Sequence, residues 1–110
     1  MTTDKNKEQF EKWYLKDFMG YKDPRHLEQY KKIELERFYN MPFQMQIGVY
    51  LAYYDSLPNM TIEICKTPST GRWYYMIDDN SGEKEFVNTR NEAYKEAFKK
   101  ADELINKQLC

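Results

Sequence analysis

Trp73, Tyr74 and Tyr75 stand in succession inside a segment of alternating pattern. Alternation sends Tyr74 to the face opposite Trp73 and Tyr75. An aromatic ring left on an outer sheet face is a usual anchor for a protein partner or a stacked base. Just beyond lie Asp78, Asp79, Glu83 and Glu85, around Asn80-Ser81-Gly82. Such an oxygen-rich turn attracts hard cations, yet the calcium-loop spacing with its terminal Glu is not matched. It reads better as a hairpin turn offering an acidic edge to a basic partner. Trp73, Tyr74, Asp79 and Glu83 are therefore the candidate partner-binding residues.

The remaining reactive side chains form no constellation. His26 is the single histidine, with no nucleophile or carboxylate held beside it by a motif, so it reads as a surface helix residue. Ser56, Ser69 and Ser81 sit in turn-like positions, outside any Gly-x-Ser-x-Gly elbow. The four glycines Gly20, Gly48, Gly71 and Gly82 are too far apart for a phosphate-binding loop. Cys65 and Cys110 have neither metal-ligand spacing nor a disulfide framework around them, which suits a reducing compartment. The expectation is a protein without catalysis, metal or other cofactor.

The positioning elements follow from periodicity. Phe10, Trp13, Tyr14 and Phe18 recur at helical spacing over Asp4–Met19, and Gly20 supplies a left-handed stop. A second helix begins at Asp23-Pro24, a cap followed by a first-position proline, and carries Leu27, Tyr30, Ile33 and Phe38 before ending near Asn40. Phe43–Ser56, with Phe43, Ile47, Tyr50, Leu51 and Tyr54 in register and only Asp55 charged, reads as the central helix, covered over most of its circumference. Gly48 within it should allow another backbone to approach closely. Leu57-Pro58-Asn59 ends it.

The period then changes to two. Met60–Lys66 and Arg72–Asp78 read as strands joined through Thr67–Gly71, and Lys84–Asn88 as a short third strand. Short links favour antiparallel neighbours. Thr89-Arg90-Asn91-Glu92 is a capping box, and Tyr94, Ala97, Phe98, Ala101, Leu104, Ile105 and Gln108 trace one face of the last helix. The fold class expected is α+β: an N-terminal helical pair over 1–41, then a helix, a three-stranded antiparallel sheet and a helix over 42–110.

A chain of 110 residues suits one domain. Its 17 basic and 18 acidic side chains argue against both a polybasic nucleic-acid binder and a nucleic-acid mimic. Residues 42–88, with three basic and six acidic side chains, are the only biased stretch. The N-terminus lacks the apolar run of a signal peptide, and no run approaches the ~20 residues a membrane span needs. A soluble cytoplasmic protein is expected.

Two resemblances sharpen this. Residues 43–108 resemble the double-stranded-RNA-binding domain in element order and length, and Thr89–Ile105, with Ala93, Ala97 and Ala101, is similar to that family's second helix. The resemblance implies RNA as a partner, with Arg90 and Lys95 as the phosphate-contacting candidates. That family's helix opens on a lysine cluster, where this chain has Arg90, Asn91 and Tyr94 beside Glu92. More of the chain resembles small phage and prophage accessory proteins: Phe10-Glu11-Lys12-Trp13-Tyr14, Pro42 through Tyr50, and the Thr-Arg-Asn-Glu-Ala-Tyr-Lys-Glu-Ala run opening the last helix. That resemblance implies a protein-binding inhibitor of a host nuclease or other defence complex, in the manner of an anti-CRISPR protein.

Overall fold

The computed structural model describes residues 2–78 and 86–109. The element order is α1 (Asp4–Trp13), a π-helical turn (Tyr14–Phe18), α2 (Pro24–Tyr39), α3 (Phe43–Asp55), β1 (Ile62–Lys66), β2 (Trp73–Ile77) and α4 (Arg90–Leu109). The class is α+β as expected.

Local chemistry sets most of the boundaries. The Asp23 carboxylate accepts from the Arg25 N–H at 2.9 Å with Pro24 at the first helical position, and Thr89 Oγ1 accepts from the Glu92 N–H at 3.2 Å to open α4. At the end of the first helical run, Gly20 takes φ +80° and the Tyr21 N–H reaches back to the Leu15 carbonyl at 2.9 Å, a left-handed stop. The run itself changes pitch: the Met19 N–H bonds the Tyr14 carbonyl five residues back, at 2.8 Å. That wider turn buries Tyr14 and Leu15 side by side and leaves Phe18, expected on the buried stripe, 47% exposed.

β1 and β2 form an antiparallel hairpin in which Ile62 faces Ile77, Ile64 faces Tyr75 and Lys66 faces Trp73. The Thr67–Gly71 turn closes through Thr67 N–H to the Arg72 carbonyl at 2.8 Å, with Gly71 at φ +71°. Of the expected third strand over Lys84–Asn88, Lys84 and Glu85 lie outside the described residues; among the described residues the sheet has two strands, and Val87 adds an isolated bridge, exchanging two 2.8 Å bonds with Trp73. Trp73 is the first residue of β2, so pairing beyond Val87 in one direction runs off the strand. In the other direction it would run first through Phe86, which carries no strand pairing, before it reached the residues outside those described.

α4 lies across both strands, and its far half packs on α1, while α3 touches α4 and β1. The core between them is aromatic. Phe10 meets Phe38, Tyr50 and Tyr53 at ring-centroid distances of 5.4, 5.0 and 5.1 Å, and Phe98 meets Tyr50 and Tyr54 at 5.4 and 5.8 Å. Such pairs add about 0.5–1.5 kcal/mol each beyond the area they bury. Ala93, Ala97 and Ala101 on α4 are fully buried, so the helix can sit close to the rings.

Two expectations for α3 are corrected. One side of the helix is open: Met45 is 65% exposed, and Gly48 and Ala52 are exposed with it. A side chain added at Gly48 would meet nothing within 4 Å, so no backbone approaches there. The elements that could have covered this side, α1, α4 and the sheet, all pack on the opposite face, where Tyr50, Tyr53 and Tyr54 are buried.

The overall dimensions are 53 × 29 × 19 Å with a radius of gyration of 15.3 Å, against ~13 Å for a round chain of this length. Among the described residues, no helix is long and apolar enough to cross a membrane.

Candidate docking surface

The described residues singled out in the sequence fall in three separate places. Trp73 is half-buried and flanked by cations, with the Arg90 guanidinium 4.6 Å and the Lys66 ammonium 5.5 Å from its ring centroid. The structure thus brings Trp73 and Arg90 together. Lys95 goes elsewhere on α4, over the Phe43 ring at 5.3 Å. Tyr74 lies on the other sheet face, paired across the hairpin with Cys65 and edge-on to Phe86 at 5.6 Å. A hydrogen bond with the Cys65 thiol pushes the Tyr74 phenol above its ordinary value. Asp79 and Glu83 lie outside the described residues. Among the described residues no three His, Cys, Asp or Glu side chains gather as a metal site.

A further set of exposed apolar side chains lies where the sequence suggested core. α2 buries only Glu34 and Phe38. Tyr30 and Ile33, from its expected apolar stripe, are 37% and 52% exposed, and Phe18 and Met19 are exposed on the preceding segment. The reason is positional: the C-terminal end of α2 reaches the core through Phe38, and the Gln46 amide caps the Phe38 carbonyl there at 3.0 Å. The rest of α2 packs mainly on the π-helical turn.

This arm is an array of rings around one acid. Tyr14 stacks on Phe18 at 5.5 Å, Tyr21 stacks on Tyr30 at 5.8 Å, and His26 lies 6.4 Å from the Tyr30 ring. Glu34 sits beneath them with its side chain 8% exposed. Its Oε1 accepts from the Tyr21 hydroxyl at 3.4 Å and from Arg37 Nη1 at 3.5 Å, both at the limit of a hydrogen bond, and its Oε2 is buried without a partner. Burial raises the Tyr14 phenol above its usual value, and the Glu34 charge adds to the effect. Both keep it neutral.

Chemically, the arm offers a rigid aromatic floor, exposed aliphatic side chains and one acceptor with unused capacity. These are the properties of a binding surface. The stripe itself was legible in the sequence, and the signal for its exposure was its weakness: Lys31, Glu34 and Arg37 interrupt it. The comparisons add no relative, for no family model, no curated protein and no solved structure matches this chain.

Proposed function

We propose that this protein is a non-catalytic protein-binding module that docks its partner through the arm formed by the π-helical turn and α2. In the setting implied by its resemblance to phage accessory proteins, that partner is a host nuclease or another defence complex, and binding inhibits it. The carrying observation is that Phe18, Met19, Tyr30 and Ile33 are exposed on a segment that is anchored in the core through Tyr14 and Phe38. Aromatic and aliphatic side chains fixed on a helix are efficient anchors because little side-chain freedom is lost on binding. The outer sheet face, with Tyr74 and Phe86, is a second apolar patch on the same molecule.

A second reading is an RNA-binding module that uses the sheet and α4. The gathering of Trp73, Arg90 and Lys66 favours it, since a ring beside cations suits a stacked base and its phosphate.

The test is affinity capture from a bacterial lysate with the wild-type chain, with Ile33→Asp and with Arg90→Ala, each with and without nuclease treatment. The protein-binding reading expects one protein retained after nuclease and lost with Ile33→Asp. Capture that depends on nucleic acid, falls steeply with salt and is lost with Arg90→Ala supports the RNA reading instead.

A further inference from the structure

The Glu34 carboxylate is the least satisfied buried polar group of the docking arm. An ionised carboxylate offers about four acceptor positions. Here one oxygen receives two long hydrogen bonds and the other receives none. Arg37 does not complete it: that side chain is 65% exposed and its nearest nitrogen stays 3.5 Å from Oε1. A metal ion is a poor fit, because hard cations require several oxygen ligands and, among the described residues, no three His, Cys, Asp or Glu side chains gather to hold one. What suits one buried carboxylate under stacked phenol rings is a cation that also packs on aromatic faces. A guanidinium does both, and an ammonium on an apolar stem does so less completely.

Resting on the protein-binding reading, we propose that Glu34 is the acceptor for an arginine or lysine side chain of the partner protein, laid against Tyr21 and Tyr30 while flanking apolar residues of the partner cover Phe18 and Ile33. Entry requires Arg37 to swing aside, and it holds Glu34 by only one long hydrogen bond. The pair then formed replaces that weak contact with a bidentate one in a site already shielded from water. Charge complementarity thereby selects a basic segment over an acidic or wholly apolar one.

The experiment is selection of a displayed random-peptide library on the full chain. Affinities of the recovered peptides are then measured against wild type, Glu34→Gln and Ile33→Asp. The expected peptides share one arginine or lysine beside apolar residues. They should lose about 10-fold or more in affinity with Glu34→Gln, and as much when that arginine is replaced by neutral citrulline. Combining the two changes should cost little beyond either alone. If Glu34→Gln fails to fold, the citrulline peptide on the wild-type chain carries the test. Peptides that need Ile33 but lack a basic residue, or are indifferent to citrulline, overturn this inference and leave the protein-binding reading standing. Peptides indifferent to Ile33→Asp, or no peptides at all, overturn both.

Discussion

Asp102, near the end of the chain, holds Thr3 at its beginning: Thr3 donates its hydroxyl to Oδ2 at 2.6 Å and its backbone N–H to Oδ1 at 2.8 Å. The same Oδ1 accepts from the Asn6 amide at 2.8 Å, and the Asn6 carbonyl oxygen accepts from the Tyr53 hydroxyl at 2.6 Å. Asn106 Oδ1 takes the Asn6 backbone N–H at 2.9 Å. This network joins α1, α3 and α4, and Asn6 at its centre is fully buried, so water cannot replace a partner that Asn6 loses.

Asp102→Ala should therefore cost about 1–3 kcal/mol, because it strands the buried Asn6 donor, while the exposed Thr3 donors can turn to water. Asn6→Ala should cost a similar amount, and the double variant less than the sum. The measurement is the denaturant midpoint at unchanged m-value. Additive losses would show that the two side chains act independently.

Phe98→Ala and Tyr50→Ala remove rings that are fully buried and in contact with each other. Each should destabilise by ~3–5 kcal/mol, since the surrounding rings cannot collapse fully into the cavity. Melting temperatures near that of the wild type would refute the core described above.

Substitutions on the arm should separate by position. Ile33→Asp, at an exposed site, should stay within about 0.5 kcal/mol of wild type. Phe38→Ala, on the same helix and fully buried, should cost ~3–5 kcal/mol. Comparable losses in both would place Ile33 in the core and remove the basis for the docking surface.

Alkaline pH should unfold the protein through its buried phenols. Burial pushes Tyr53 up to about 12, and Tyr50 and Tyr54 are raised further, with the nearby Asp102 charge contributing to all three. A raised folded pKa means that the folded state keeps its proton longer than the unfolded one. The stability is fully present below the unfolded value of about 10, and is lost as pH rises from there toward the folded value. Each such tyrosine contributes a slope of about 1.4 kcal/mol per pH unit in that window. Denaturant titrations across it, followed by phenolate absorbance, should show these tyrosines ionising only as the chain unfolds.

Free RNA should bind weakly at physiological salt. Arg90 and Lys95 each already lie over an aromatic ring, and the basic side chains are matched in number by acidic ones across the chain. Nanomolar affinity for naked duplex RNA, abolished by Arg90→Ala and Lys95→Ala, would reverse the order of the two functional readings.

Features held by neighbours in the chain were determined by the sequence alone. Asp23-Pro24 caps α2, Thr89 opens α4, and Gly20 ends the first helical run. In each case the energy comes from groups a few residues apart, so the pattern contains the whole cause. The tertiary structure decided whatever depends on a distant element being present or absent. The stripe Leu27, Tyr30, Ile33 and Phe38 is apolar at every position, yet only Phe38 is buried, because only that end of α2 meets the aromatic core. Asn6 and Asp102, 96 positions apart, look like ordinary helix-surface residues until α1 and α4 pack together and exclude water from both. Glu34 is likewise one charge among many in the sequence, and only the turn carrying Tyr14 and Tyr21 puts it out of reach of solvent. Burial is a property of assembled elements, and a periodic pattern states which residues could be buried without stating what will cover them.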